Sequence, residues 1–163
     1  MHEPDSVLTE VYVQPGESHL ARKPVVFRTL LGSCVGVTFL VPRLGIGALC
    51  HPMLPLCPPS SQTLTLEARR RYVDFAILAL ARQLDKLRAY REEVEIKLFG
   101  GADVLPVGRN PTRPTVGRLN AECATRVLRE EGLHVVASRL GGCTGVHLLF
   151  DTRTGEVLVR RLA

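Results

Sequence analysis

The sequence predicts an α+β fold, a layered sandwich of mixed β-sheet with two principal helices. Short β-branched and apolar runs, bounded by Gly and Pro, gather at both ends of the 163-residue chain. The two segments with helical periodicity lie between them. Strands grouped in this way argue against a doubly wound parallel sheet, which alternates strand with helix. Hydrophobic residues make up 45% and charged residues 23%, near globular averages, so disordered and low-complexity classes are excluded. At this length a single domain over residues 1–163 is expected.

Glu10 to Gln14 reads as a strand closed by Pro15-Gly16, and Val25 to Thr29, behind Pro24, as an extended β-branched segment. Val35 to Leu40 is an apolar run of strand length, followed by a turn at Pro42-Arg43. Leu44 to His51 resumes as a strand containing Gly45 and Gly47, the usual sign of a bulge or close backbone approach. Pro52, Pro55, Pro58 and Pro59 forbid regular structure through Ser61. Val73, Ala76, Ile77, Leu80, Leu84 and Leu87 form the apolar stripe of a helix predicted over Glu67 to Tyr90. Val94 to Phe99 alternates apolar and charged residues, which predicts a strand with one wet face, ended by Gly100-Gly101. Residues 103–116, with Pro106, Pro111 and Pro114, read as a mobile or variable loop. A second helix is expected from Val116 or Gly117 to Glu131, with Gly132 as its stop. Leu133 to Leu140 reads as a strand, and the chain closes in a hairpin of Val146 to Phe150 and Glu156 to Arg161.

The net charge is +5, with an isoelectric point near 9.2, which favours acidic partners. The basic residues are scattered, however, aromatics are only 5% and Trp is absent, so the stacking platform of a nucleic-acid binder is missing. No apolar run is long enough to span a membrane, and the first residues, Met1-His2-Glu3-Pro4-Asp5, lack the pattern of a secretory signal. A cytoplasmic protein is expected. The five cysteines are widely spaced, which argues against a disulfide framework. Zinc on Cys50, His51 and Cys57 is disfavoured, because adjacent residues of a strand point to opposite sides. No cofactor is implied.

One pair of segments departs from the core pattern. In Leu31-Gly32-Ser33-Cys34 a small, polar turn delivers a cysteine to the start of an apolar strand, and His51 stands at the proline-broken end of the next one. If those strands are neighbours, thiol and imidazole share one end of a sheet, the arrangement that yields a reactive thiolate. Backbone N–H groups around Gly32, Ser33 and Cys34 would then stabilise an oxyanion. On spacing alone the alternative, a buried thiol acting as apolar filler, stays open. Cys50, Cys57, Cys123 and Cys143 read as core or loop thiols, His134 and His147 as structural strand residues, and His19 as part of a turn or flexible region.

Leu30-Leu31-Gly32-Ser33-Cys34-Val35 followed by His51-Pro52-Met53-Leu54-Pro55 resembles the chemoreceptor glutamine deamidase family, CheD. The likeness continues through Lys97-Leu98-Phe99-Gly100-Gly101-Ala102, Gly117-Arg118-Leu119-Asn120, Leu140-Gly141-Gly142 and Thr154-Gly155-Glu156, over roughly residues 10–161. The resemblance implies a fold similar to the toxin deamidases and hydrolysis of receptor glutamine side chains to glutamate through a thioester. Cys34 would be the nucleophile and His51 its base and acid. It also implies chemoreceptors as substrate and the phosphatase CheC as a binding partner. Two positions depart from the family pattern. A threonine six residues before the cysteine is replaced by Arg28, so that Thr29 can serve only if the backbone shifts register or bulges, and Gly145-Val146 stands where Gly-Arg is common. These changes leave a second reading, a catalytically impaired binding module of the chemotaxis system. A deamidase is expected to carry a Cys34 thiol of depressed pKa that alkylates fast at pH 7.

Overall fold

The computed structural model describes residues 7–104 and 113–163. Two mixed sheets organise them. The strands are β1 (Thr9–Tyr12), β2 (Ser18–Ala21), β3 (Val25–Leu31), β4 (Val35–Val41), β5 (Ile46–Cys50), β6 (Glu95–Gly100), β7 (His134–Leu140), β8 (Val146–Asp151) and β9 (Val157–Arg161). The first sheet has the order β1-β3-β8-β9 and the second β2-β5-β4-β6-β7. Each contains one parallel pair, β1 with β3 and β6 with β7, and is otherwise antiparallel. The helices are a single turn, α1 (Leu66–Arg69), and two longer ones, α2 (Val73–Lys86) and α3 (Val116–Glu130). The α+β layered class predicted from strand grouping is the architecture found.

Side-chain alternation sorts the core into two bodies. Val35, Val37, Phe39 and Val41 of β4, with Ile46, Ala48 and Cys50 of β5, pack against α2 and α3. Phe27, Leu31, Leu148 and Phe150 of the first sheet meet Leu40, Leu49 and Phe99 of the second. The central strands of the second sheet are therefore covered on both faces, by helices and by the other sheet, and all seven residues of β4 are buried. Such two-sided burial explains why β4 reads as a continuous apolar run.

Four elements differ from the sequence reading, each for a local reason. Ser18–Ala21, expected as turn, is an edge strand paired antiparallel to β5, and it takes His19 into the sheet. The helix predicted over Glu67 to Tyr90 breaks at residues 70–72, where Arg71 O accepts from the N–H groups of Met53 and Leu54. Tyr72 there bridges to Leu54. It stops early as well, because Arg88 takes a left-handed φ of 61°. Within the proline-rich stretch, Pro59–Thr63 forms a 3₁₀ turn with proline at its first position. The polar face of β6 is wet only at its start: Glu95 is exposed, but Phe99 is buried between the sheets and Lys97 Nζ donates to Gly155 O at 2.8 Å. Most of the loop expected at 103–116 lies outside the described residues.

Candidate active site

Two antiparallel strands bring Cys34 and His51 to one end of the second sheet. Val37 pairs with Cys50, and Val35 N–H donates to Pro52 O at 3.3 Å, so the ladder runs one step past β5 and sets Gly36 opposite His51. Cys34 and His51 are then diagonal neighbours on the face turned toward the first sheet, a spacing of about 7–8 Å between Cα atoms. Gly36, directly across from the imidazole, places no side chain between them. Cys50 points to the other face, into the helix-side core, and its burial pushes that thiol up to about 12.

From the first sheet, Phe27, Thr29 and Leu31 point inward in an unbroken register with β8. Thr29 Oγ1 lies 2.7 Å from His51 Nδ1 and donates to Val13 O at 2.7 Å. Thr29 reaches the histidine with no bulge in β3; of the two routes the sequence left open, a register shift or a bulge, the bulge is not used. Arg28 faces the other way and pairs with Glu10 at 3.0 Å.

Hydrogen accounting assigns the imidazole. The Thr29 hydroxyl has one proton, and Val13 O can only accept it. Thr29 Oγ1 must then accept from His51 Nδ1–H, which leaves Nε2 as a bare lone pair. That Nε2 is buried with no partner among the described residues. The backbone on both sides of His51 is pinned as well: Gly16 N–H donates to His51 O at 2.7 Å, and His51 N–H donates to Glu17 O at 2.9 Å. Burial lowers the His51 pKa below the ordinary 6.5, against the raising effects of Val13 O and the Glu17 carboxylate.

The turn that carries Cys34 is held from behind by its carbonyls. Gly32 O accepts from Ala102 N–H at 2.9 Å, and Cys34 O from Gly101 N–H at 2.8 Å. Ser33 O accepts from Asn120 Nδ2 at 2.9 Å. Among the described residues the N–H groups of Ser33 and Cys34 donate to no other residue, the Cys34 N–H acting only on its own sulfur, so two adjacent donors are left for an anionic oxygen. The approach is so close that a Cβ on Gly100, whose φ is +94°, would collide with the Cys34 carbonyl; one on Gly117 would collide with Ala102 O. Both collisions are with backbone, which cannot swing aside.

Cys34 is half-buried, and desolvation raises its pKa above the ordinary 9.0, its own backbone N–H pulling the other way. This corrects the expectation of a depressed thiol. No hydrogen bond joins Cys34 Sγ to His51 among the described residues, so thiol and imidazole rest as a neutral pair. A cleft of about 190 Å³ lined by Leu31, Gly100, Ala102, Arg139 and Arg161 flanks the turn. The groove of about 560 Å³ between Gln14–His19 and Thr65–Arg71 is lined by none of Cys34, His51 and Thr29. No cluster of described residues could hold a metal ion.

The family described as "CheD chemotactic sensory transduction" matches residues 53–161. Relatives extend the likeness over Cys34 and His51. A Geobacter sulfurreducens protein named "Probable chemoreceptor glutamine deamidase CheD 2" is 41% identical, over 95% of this chain and 91% of its own. The chain belongs to the CheD family. An Oleidesulfovibrio alaskensis CheD is 38% identical over 97% of this chain and 75% of its own, and one from Maridesulfovibrio salexigens 34% over 99% and 97%. A solved structure of a Bacillus licheniformis hypothetical protein, YfiH, gives a TM-score of 0.47 at 11% identity, covering 75% of this chain and 49% of that one, a likeness too distant to bear on function.

Asn120 is the site residue that this CheD chain's sequence concealed as a role. It was visible in the Gly117-Arg118-Leu119-Asn120 motif, but only the tertiary fold shows what it touches. Two outcomes are expected. Alkylation of Cys34 by iodoacetamide, mapped by mass spectrometry to separate it from exposed Cys143, should be slow at pH 7 and rise above pH 9.0; a fast reaction at pH 7 would contradict the neutral pair. Gly100→Ala should lose at least about 1–3 kcal/mol from its backbone conformation alone, read from the urea midpoint.

Proposed function

We propose that this chain is a protein-glutamine deamidase that converts glutamine side chains of chemoreceptors to glutamate with release of ammonia. The observation that carries the reading is the free Nε2 of His51, fixed by the Thr29 hydrogen bond on the face that Cys34 shares. The names of the relatives supply the substrate.

In the proposed sequence, Nε2 takes the Cys34 proton as sulfur attacks the carboxamide carbon. The carbonyl oxygen becomes an oxyanion bound by the Ser33 and Cys34 N–H groups; one such donor is worth about 3–4 kcal/mol. Collapse breaks the C–N bond, and imidazolium returns the proton to the departing nitrogen, so ammonia leaves and a thioester remains. Water, deprotonated by the same Nε2, releases glutamate and restores the thiol. Resting separation of sulfur and Nε2 is compatible with this, since catalytic hydrogen bonds commonly tighten only with substrate bound. Among the described residues no helix is long and apolar enough to cross a membrane, and we place the reaction on the cytoplasmic part of the receptor. A CheC-type phosphatase is the binding partner this reading implies.

The impaired-module reading rested on Arg28 and Val146: Arg28 points away from the site while Thr29 occupies the inward position, and Val146 pairs with Leu31 and lines the cleft beside the Cys34 turn. Cys34→Ala should abolish ammonia release from a receptor fragment with little change in melting temperature; retained turnover would sink the assignment. Thr29→Val leaves Nδ1–H only the longer contact to Val13 O at 3.4 Å, and turnover should fall by about 10²-fold, the low end of what a positioned base contributes. Because the base must be neutral and burial lowers its pKa, kcat should rise with pH along a limb below 6.5. A limb at or above that value would contradict the buried, neutral imidazole.

A further inference from the structure

Asn120 lies one helical turn after Gly117 on α3 and is fully buried. Its Nδ2 gives one hydrogen to Ser33 O and the other to Met53 O, each at 2.9 Å. Ser33 immediately precedes Cys34, and Met53 follows His51 by two residues. Since the two hydrogens of an amide are fixed in one plane, the group sets the separation and relative angle of the two chain segments. The Met53 segment is tied on its other side, where Met53 N–H donates to Arg71 O at 2.7 Å. The Ser33 segment is tied by the Gly101 and Ala102 N–H groups.

The chemistry of Asn120 is poorly suited to packing alone. Its Oδ1 is buried with no partner among the described residues, and a leucine of similar size would fill the space without a stranded acceptor. The two donors are what this side chain adds. Gly117 is what lets it add them, because a Cβ there would push α3 away from the Gly101-Ala102 backbone.

We propose that Asn120 is a positioning residue: its carboxamide bridges the Cys34 and His51 arms and sets the approach of sulfur to Nε2. The inference rests on the deamidase reading of that pair. It acts on the geometry of the chemical step and not on substrate affinity, so it should appear in kcat and not in KM.

The test compares Asn120→Leu with Val127→Ala, a buried change on the same helix in the helix-side core, each assayed for ammonia release and for melting temperature. Asn120→Leu should lower kcat by about 10²-fold, the effect of misplacing reacting groups by roughly 1 Å, with KM within about twofold. Val127→Ala should keep kcat near the parent value despite a lowered melting temperature. Loss of kcat in parallel with melting temperature in both variants would reduce Asn120 to a helix-docking contact and overturn the proposal, as would an unchanged kcat in Asn120→Leu. If the leucine variant does not fold, Asn120→Asp, of the same shape with at most one hydrogen to give, is judged on the same readouts. Cys34 alkylation against pH separates this proposal from the reading beneath it. A profile displaced in Asn120→Leu with no ammonia released by the parent would keep the bridge and end the deamidase; an undisplaced profile beside an active parent would do the reverse.

Discussion

The proposed site depends on three stretches of backbone lying closer together than side chains would permit. The Cys34 carbonyl occupies the space a Cβ of residue 100 would need, and the Ala102 carbonyl the space a Cβ of residue 117 would need. From that contact comes an asymmetry in the nucleophile turn. Gly32 O, Ser33 O and Cys34 O are each engaged from behind, by Ala102, Asn120 and Gly101. With its carbonyls engaged, the turn keeps the N–H groups of Ser33 and Cys34 without a partner residue among the described residues. A turn bound through its donors would have had nothing to offer an oxyanion.

Electrostatics at the pair is governed by burial. Desolvation raises the thiol and lowers the imidazole, both toward the uncharged form. A preformed thiolate–imidazolium pair would require the opposite shifts. In the proposed reaction the proton would therefore move as the carboxamide arrives, with charge developing only when the N–H donors and the Glu17 field can meet it. Thr29 matters in this scheme as a proton acceptor for Nδ1–H. It prevents the other tautomer, which would bury a useless donor at Nε2 and leave no base facing the sulfur.

Layer class, the main helices, the closing hairpin and the shared end of Cys34 and His51 were legible in the sequence, because each rests on local period or on a turn residue. Ser18–Ala21 was not, since four residues of half-burial give too little alternation to read as strand. The break at residues 70–72 was hidden for a different reason: Arg69-Arg70-Arg71 is acceptable helix sequence, and only the Met53 and Leu54 N–H groups, seeking a carbonyl, pull Arg71 out. Thr29 shows the limit of arguing by motif position. Counting back from Cys34 points to Arg28, whereas the inward phase of β3, set by Phe27 and Leu31, points to Thr29. The phase decides, because the turn between β3 and Cys34 need not preserve a count. Asn120 was written in the sequence as a motif, but a donor's partners 67 and 87 residues away cannot be read from spacing.

Each layer of the sandwich contributes one part of the site. Thr29 comes from the first sheet, Cys34 and His51 from the end of the second, and Asn120 from the helices. The imidazole is oriented across one layer boundary and the two arms are spaced across the other. A slip of either boundary would misplace a proton or a sulfur before it exposed much apolar surface, so function should be sensitive to small shifts between layers that global stability barely registers. Gly117 and the bridge at 120 sit on the helix-side boundary, Gly100 lies against the Cys34 carbonyl and Leu31 of the first sheet, and the Thr29–His51 bond crosses between the sheets. Polar or backbone contacts of fixed length suit this task better than apolar packing, which tolerates sliding; the sandwich core supplies the stability, and these few contacts supply the register.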